Sequence, residues 1–86
     1  MNINWSKNAD KQLAIWKKEN PRIEKRIQLL IDNIKQTPYE GIGKPEALKH
    51  ELVGYWSRRI DEEHRLVYCY NEQADTLEII SCKGHY

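Results

Sequence analysis

Apolar residues in this chain repeat with a helical period up to about residue 36 and with a strand period after residue 47. Asn2–Trp5 has the length of a short opening strand, and Ser6 is placed to cap a helix by accepting a free first-turn N–H. Ala9, Leu13 and Trp16 follow at i, i+4 and i+7, which sets them on one stripe. Asn20-Pro21 ends that helix and begins another, with asparagine as cap and proline at the first helical position. Ile23, Ile27, Leu30, Ile31 and Ile34 continue the spacing until Thr37-Pro38, because a residue before proline avoids the helical region. Two antiparallel helices joined by a tight turn are expected.

Residues 38–45 hold two prolines and two glycines and read as a loop. Gly41-Ile42-Gly43-Lys44 fits neither glycine pattern for cradling phosphates, since a Walker loop needs four residues between its glycines and a dinucleotide loop needs a third glycine. The period then becomes two. Leu48–Leu52, Tyr55–Ile60, Arg65–Tyr70 and Thr76–Lys83 each read as strands, with Val53-Gly54, Asp61–His64 and Asn71–Asp75 as the turns. Connections this short join antiparallel neighbours. The expected fold class is α+β: two N-terminal antiparallel helices packed on one face of a small antiparallel sheet.

Length sets the limits on this picture. A chain of 86 residues buries about 60–65% of its unfolded surface, enough for a single domain over residues 1–86. No apolar stretch reaches the roughly 20 residues of a membrane span, and the first residues lack the apolar run of a signal peptide. Cytoplasmic residence is expected, with Cys69 and Cys82 as reduced, small core residues. The net charge of +1 is uninformative, but its distribution is not. Residues 1–36 carry eight Lys/Arg against four Asp/Glu, while residues 37–86 carry six against nine. A basic helical half suits either a polyanion or an ordinary solvated face.

Alternation divides the strand residues between two faces. Trp56, Arg58 and Ile60 share one side, and Tyr55, Ser57 and Arg59 the other. Ile79, Ser81, Lys83 and His85 share a side of the last strand, opposite Glu78, Ile80 and Cys82. A sheet face carrying Arg59, Arg65 and His85 would be a concave polar surface. Such a set suits RNA cleavage, in which the 2′-hydroxyl is the nucleophile. The protein then accepts one proton, stabilises phosphoryl charge and donates a proton to the leaving 5′-oxygen. Glu46, just after Lys44-Pro45, is the candidate base; the alternative is a plain surface glutamate. His85 is the candidate acid, and a Tyr86 carboxylate beside it would favour the imidazolium.

Arg59 and Arg65 present paired, permanently charged donors for a phosphate, or else pair with Asp61, Glu62 and Glu63. Lys49 lies three residues after Glu46 and could add charge there. Arg58, of opposite parity, is expected to pair with a surface carboxylate. Tyr39, Tyr55 and Tyr86 are surfaces on which a splayed base could stack. His50 and His64 receive no role, and no His/Cys group has metal-ligand spacing.

Gly43-Lys-Pro-Glu-Ala-Leu-Lys49, Trp56-Ser-Arg-Arg-Ile60, Glu63-His-Arg-Leu-Val-Tyr68 and Gly84-His-Tyr86 together resemble the Txe/YoeB toxin family, within the RelE superfamily. The likeness covers essentially the whole chain. It implies a ribosome-dependent endoribonuclease, an mRNA interferase that cuts mRNA in the ribosomal A site without metal or other cofactor and halts translation. It implies Glu46 as base, His85 as acid, Arg65 in catalysis, and Lys49, Arg59 and Tyr86 in holding the RNA. The implied partners are the 70S ribosome with its mRNA, a YefM-like antitoxin, operator DNA through the toxin–antitoxin complex, and a second copy in a homodimer. Two other classes are the alternatives: a ParE-like toxin, which resembles the same fold and poisons gyrase but needs no glutamate–histidine pair, so that Glu46 and His85 argue against it, and a module that only binds RNA or protein.

Overall fold

The computed structural model of the chain describes residues 1–84. Strand β1 (Asn2–Trp5) leads into helices α1 (Lys7–Glu19) and α2 (Pro21–Gln36), followed by β2 (Glu46–Ala47), β3 (Trp56–Arg59), β4 (Arg65–Asn71) and β5 (Thr76–Ser81). Ser6 caps α1 as its position suggests, its Oγ accepting the Ala9 N–H at 3.0 Å. Asn20 behaves differently. Its side chain makes no cap bond, and its backbone carbonyl takes the Ile23 and Glu24 N–H groups instead, with Pro21 opening α2.

The five strands form one sheet in the order β1-β5-β4-β3-β2. β2 through β5 are antiparallel neighbours, but β1 pairs with β5 in parallel, Asn2 opposite Thr76 and Trp5 opposite Ile79. The sheet is therefore mixed. The rule that short connections give antiparallel pairs governs only strands adjacent in sequence, and β1 meets a partner at the far end of the chain.

Leu48–Leu52 is not a strand. Strand β2 ends at Ala47, with one further bond from the Leu48 N–H to Tyr55 O at 2.9 Å; His50 then takes a left-handed φ of 59°, and His50–Leu52 winds into a single 3₁₀ turn. The chain must return to Trp56 within eight residues, and this turn with Gly54 makes the reversal. A second departure lies in β5. Val67 faces Ser81 while Tyr68 faces Ile79, so a bulge leaves Ile80 as an extra residue. Parity shifts there, and Cys82, not Ser81, joins Ile79 in the core.

That core lies between the helix pair and one sheet face. Ala9, Leu13 and Trp16 of α1 and Ile27, Leu30, Ile31 and Ile34 of α2 meet Leu66, Tyr68, Leu77 and Ile79 of the sheet. Each large aliphatic side chain removed from water there contributes about 1.5–3 kcal/mol. No described helix is long and apolar enough to cross a membrane.

Candidate active site

The face of the sheet away from the helices carries a groove of about 550 Å³ at the β2–β3–β4 end. Register explains which side chains reach it. Glu46 of β2 lies opposite Ser57 of β3, and Arg59 of β3 lies opposite Arg65 of β4. All four have the parity that turns away from the core, and all four line the groove, joined by Lys49 from the segment after β2. The carboxylate and the three cations singled out from sequence therefore share one concavity. His85 and Tyr86 lie outside the described residues. Gly84 is described, and its carbonyl accepts the Arg65 N–H at 2.8 Å, so the chain runs to residue 84 beside the groove's arginines.

Arg65 is presented by a tight Asp61–His64 turn. Asp61 Oδ1 accepts the N–H groups of Glu63 at 2.8 Å and His64 at 2.6 Å. Burial pushes the Asp61 carboxyl up, but those two backbone bonds, aided by the Arg65 charge, outweigh it and hold the group below the usual carboxylate range. Arg65 Nη1 donates to the Asp61 carbonyl at 2.7 Å and the His64 carbonyl at 3.1 Å. Backbone acceptors, not the neighbouring carboxylates, orient the guanidinium. Arg59 is held only by its backbone, whose N–H reaches Gly43 O at 2.7 Å and whose carbonyl accepts from Arg26 at 3.3 Å. Its exposed guanidinium makes no hydrogen bond among the described residues.

The neighbour of Arg59 corrects the expectation of a surface ion pair. Arg58 is fully buried. Its Nε donates to Tyr68 Oη at 3.1 Å, one terminal nitrogen to Asn33 Oδ1 and Ile42 O, and the other to Thr37 O and Glu40 O, each at 2.7 Å. Five donors meet five acceptors. Parity turns Arg58 toward the helix-covered side, where the loop after α2 offers carbonyls that no strand satisfies. Tyr39 is likewise withdrawn from base stacking in the groove: its ring lies 4.9 Å from that of Trp56, a residue of core-facing parity.

This frame has close counterparts. The model of the YoeB-like toxin of bacterial type II toxin–antitoxin systems matches residues 5–86. A toxin YoeB from Escherichia coli K12 is 48% identical over the full length of both chains. The chain belongs to the YoeB-like toxins. A YoeB/ParE toxin from Agrobacterium tumefaciens superposes with a TM-score of 0.97 at 42% identity, covering 100% of both chains. The toxin in a heterotetrameric YoeB–YefM complex from Staphylococcus aureus gives 0.91 at 41% identity, covering 100% of this chain and 98% of that one.

Within this YoeB-like chain the cysteines stay outside the chemistry. Both are free thiols; Cys82 is the small core residue expected, whereas Cys69 is only half-buried and lies outside the core. Burial pushes Cys82 up to about 12, and burial followed by the Glu78 charge raises Cys69, so both remain protonated near neutrality. Among the described residues no group of three or more His, Cys, Asp and Glu could hold a metal ion. What sequence reasoning missed is His64. Its Nδ1 accepts the Gly84 N–H at 2.9 Å, a long-range bond that no local pattern announces.

Proposed function

We propose that this protein is a ribosome-dependent endoribonuclease that cuts mRNA in the ribosomal A site and thereby stops translation. The observation that carries the reading is the shared groove: Glu46, Lys49, Arg59 and Arg65 line one concavity, and the chain reaches Gly84 beside Arg65. A single carboxylate among cations fits a reaction in which one proton is accepted while phosphoryl charge builds. Glu46 removes the proton of the ribose 2′-hydroxyl, whose oxygen attacks the adjacent phosphorus. Arg65, Arg59 and Lys49 stabilise the charge on the nonbridging oxygens. His85 gives a proton to the departing 5′-oxygen, and a 2′,3′-cyclic phosphate remains. Tyr86 stacks on a base and holds the strand. No metal is required, because the RNA supplies its own nucleophile.

The partners follow the same chemistry. Lys7, Lys11, Lys17, Lys18, Arg22 and Lys25 are all exposed on the helices, away from the groove, and suit docking on ribosomal RNA through its phosphates. A YefM-like antitoxin would inhibit by folding a flexible segment over the polar sheet face, with acidic residues set against the arginines. Operator DNA would be bound by that complex, and a homodimer is the form proposed for the free toxin.

The test is to add the protein to translating ribosomes and map mRNA ends. Wild type should cut in the decoding site and leave a cyclic phosphate, while a 2′-deoxy nucleotide at the scissile position should block cutting. Glu46→Gln should keep the fold and lower cleavage about 10²–10⁴-fold. Full activity of Glu46→Gln would remove the mechanism; DNA breaks with intact mRNA would point to a gyrase poison.

A further inference from the structure

Sheet pairing of β5 ends at Ser81, yet the three residues beyond it are bonded at almost every polar backbone group. The Cys82 N–H donates to Gln12 Oε1 at 2.7 Å, and the Cys82 carbonyl accepts from Trp16 Nε1 at 2.9 Å. Gly84, at a left-handed φ of 86°, has its carbonyl on the Arg65 N–H and its own N–H on His64 Nδ1. Residues past the last strand usually fray unless something ties them down. At Gly84 the ties are the His64 side chain and the Arg65 backbone, and the position they hold is the one bonded to His85.

The His64 ring is well placed to fix a position and not merely fill space. It packs edge-on against Trp16, centroids 4.7 Å apart with an interplanar angle of 70°, and Trp16 in turn holds Cys82. Its backbone is pinned as well, since its N–H reaches Asp61 Oδ1 and its carbonyl accepts the Ile60 N–H at 2.9 Å. An N–H donor must meet a lone pair, so Nδ1 carries no proton in this arrangement. Glu63 Oε2 stands 3.8 Å from the other ring nitrogen, beyond hydrogen-bonding distance.

We propose that His64 is a positioning residue of the cleavage reaction: with the Arg65 backbone N–H it clamps Gly84 from both sides and fixes the backbone position that immediately precedes His85. The role rests on the nuclease reading above. His64 touches no reacting atom in this scheme. Its effect passes through the backbone that presents the proton donor, and a misplacement of a reacting group by about 1 Å costs on the order of 10²-fold.

The experiment compares wild type, His64→Phe and His64→Asn on translating ribosomes, with kcat and KM read separately. Amide exchange at Gly84 is followed by NMR on the same samples. His64→Phe retains a ring against Trp16 but offers no lone pair. It should lower kcat about 10²-fold at unchanged KM and speed Gly84 exchange. Asparagine Oδ1 occupies nearly the place of Nδ1, so His64→Asn should restore most of both. Should His64→Phe not fold, His64→Gln, whose acceptor lies one methylene further out, replaces it with the same expectation. Active wild type with an equally active phenylalanine (or glutamine) variant overturns the positioning role alone, as does unchanged Gly84 exchange. A wild type that cuts no mRNA overturns the nuclease reading, and this role falls with it.

Discussion

Arg58 and Arg59 are bonded neighbours whose environments have almost nothing in common. Arg58 is fully buried with every guanidinium N–H on an acceptor, whereas Arg59 is exposed and its guanidinium is unbonded among the described residues. The difference comes from one step of strand alternation. On the helix-covered side, Arg58 meets the loop after α2, and its fork satisfies the carbonyls of Thr37, Glu40 and Ile42 together with Asn33 and Tyr68. Its partners are dipoles and not a carboxylate. The charge is therefore stabilised in the interior yet unavailable to any ligand. On the other side the Arg59 guanidinium meets no acceptor among the described residues and lines the groove with Arg65, Lys49 and Glu46. Residue type alone does not mark a functional arginine; the acceptors its own chain already supplies do.

The largest expected effect lies at Arg58. Arg58→Met keeps much of the stem but removes all five donors, leaving buried carbonyls and Tyr68 Oη short of a partner. Each orphaned group costs about 1–3 kcal/mol, so a loss of at least about 3 kcal/mol is expected. Urea unfolding followed by tryptophan fluorescence measures it. A variant as stable as wild type would show that Arg58 is not what holds the 37–44 loop to the sheet.

A smaller effect is expected where the loop passes beneath Arg58. Gly43 has φ of 82°, and a Cβ there would come within 2.8 Å of Leu30 Cδ2 and 3.2 Å of both Arg58 Cβ and Arg59 O. Backbone strain of about 1–2 kcal/mol is therefore compounded by overpacking, and Gly43→Ala should lose about 2–4 kcal/mol. Gly54 serves as its control, with φ of 97° and open space around the position. Gly54→Ala should cost only the strain, about 1–2 kcal/mol. Equal losses in the two variants would mean that close approach to Arg58 contributes nothing.

Much of this division was legible beforehand. Helix boundaries, the core stripe from Ala9 to Ile34 and the two faces of Trp56–Arg59 all follow from periodicity, because burial enforces it. Glu46, Lys49, Arg59 and Arg65 were gathered from motif and parity, and the groove brings them together. What escaped was non-local. The parallel seating of β1 depends on a partner at the far end of the chain, and the bulge at Ile80 breaks the alternation that sorted β5. The burial of Arg58 is hidden because three of its five acceptors are backbone carbonyls, which every sequence contains and none advertises, and the two side-chain acceptors lie far away in the chain. The role of His64 is hidden in the same way, since its partner is the backbone N–H of a glycine twenty residues away.

The smallest expected change in stability sharpens the comparison furthest. Arg59→Ala deletes an exposed side chain that bonds to nothing in the described chain, and the backbone links of residue 59 to Gly43 and Arg26 survive the substitution. Unfolding free energy should therefore stay within about 0.5 kcal/mol of wild type. Loss of a positive neighbour should even ease repulsion across the Arg59–Arg65 pair, which sit directly opposite in the β3–β4 ladder. On the proposed chemistry, the same variant should lose about 10²–10³-fold in cleavage, the cost of removing one donor from developing phosphoryl charge. Urea curves and mRNA-end mapping on one preparation give both numbers. If Arg59→Ala unfolds as Arg58→Met does, the groove arginine is structural; two adjacent positions with opposite readouts would mean that strand parity separates fold from function in this sheet.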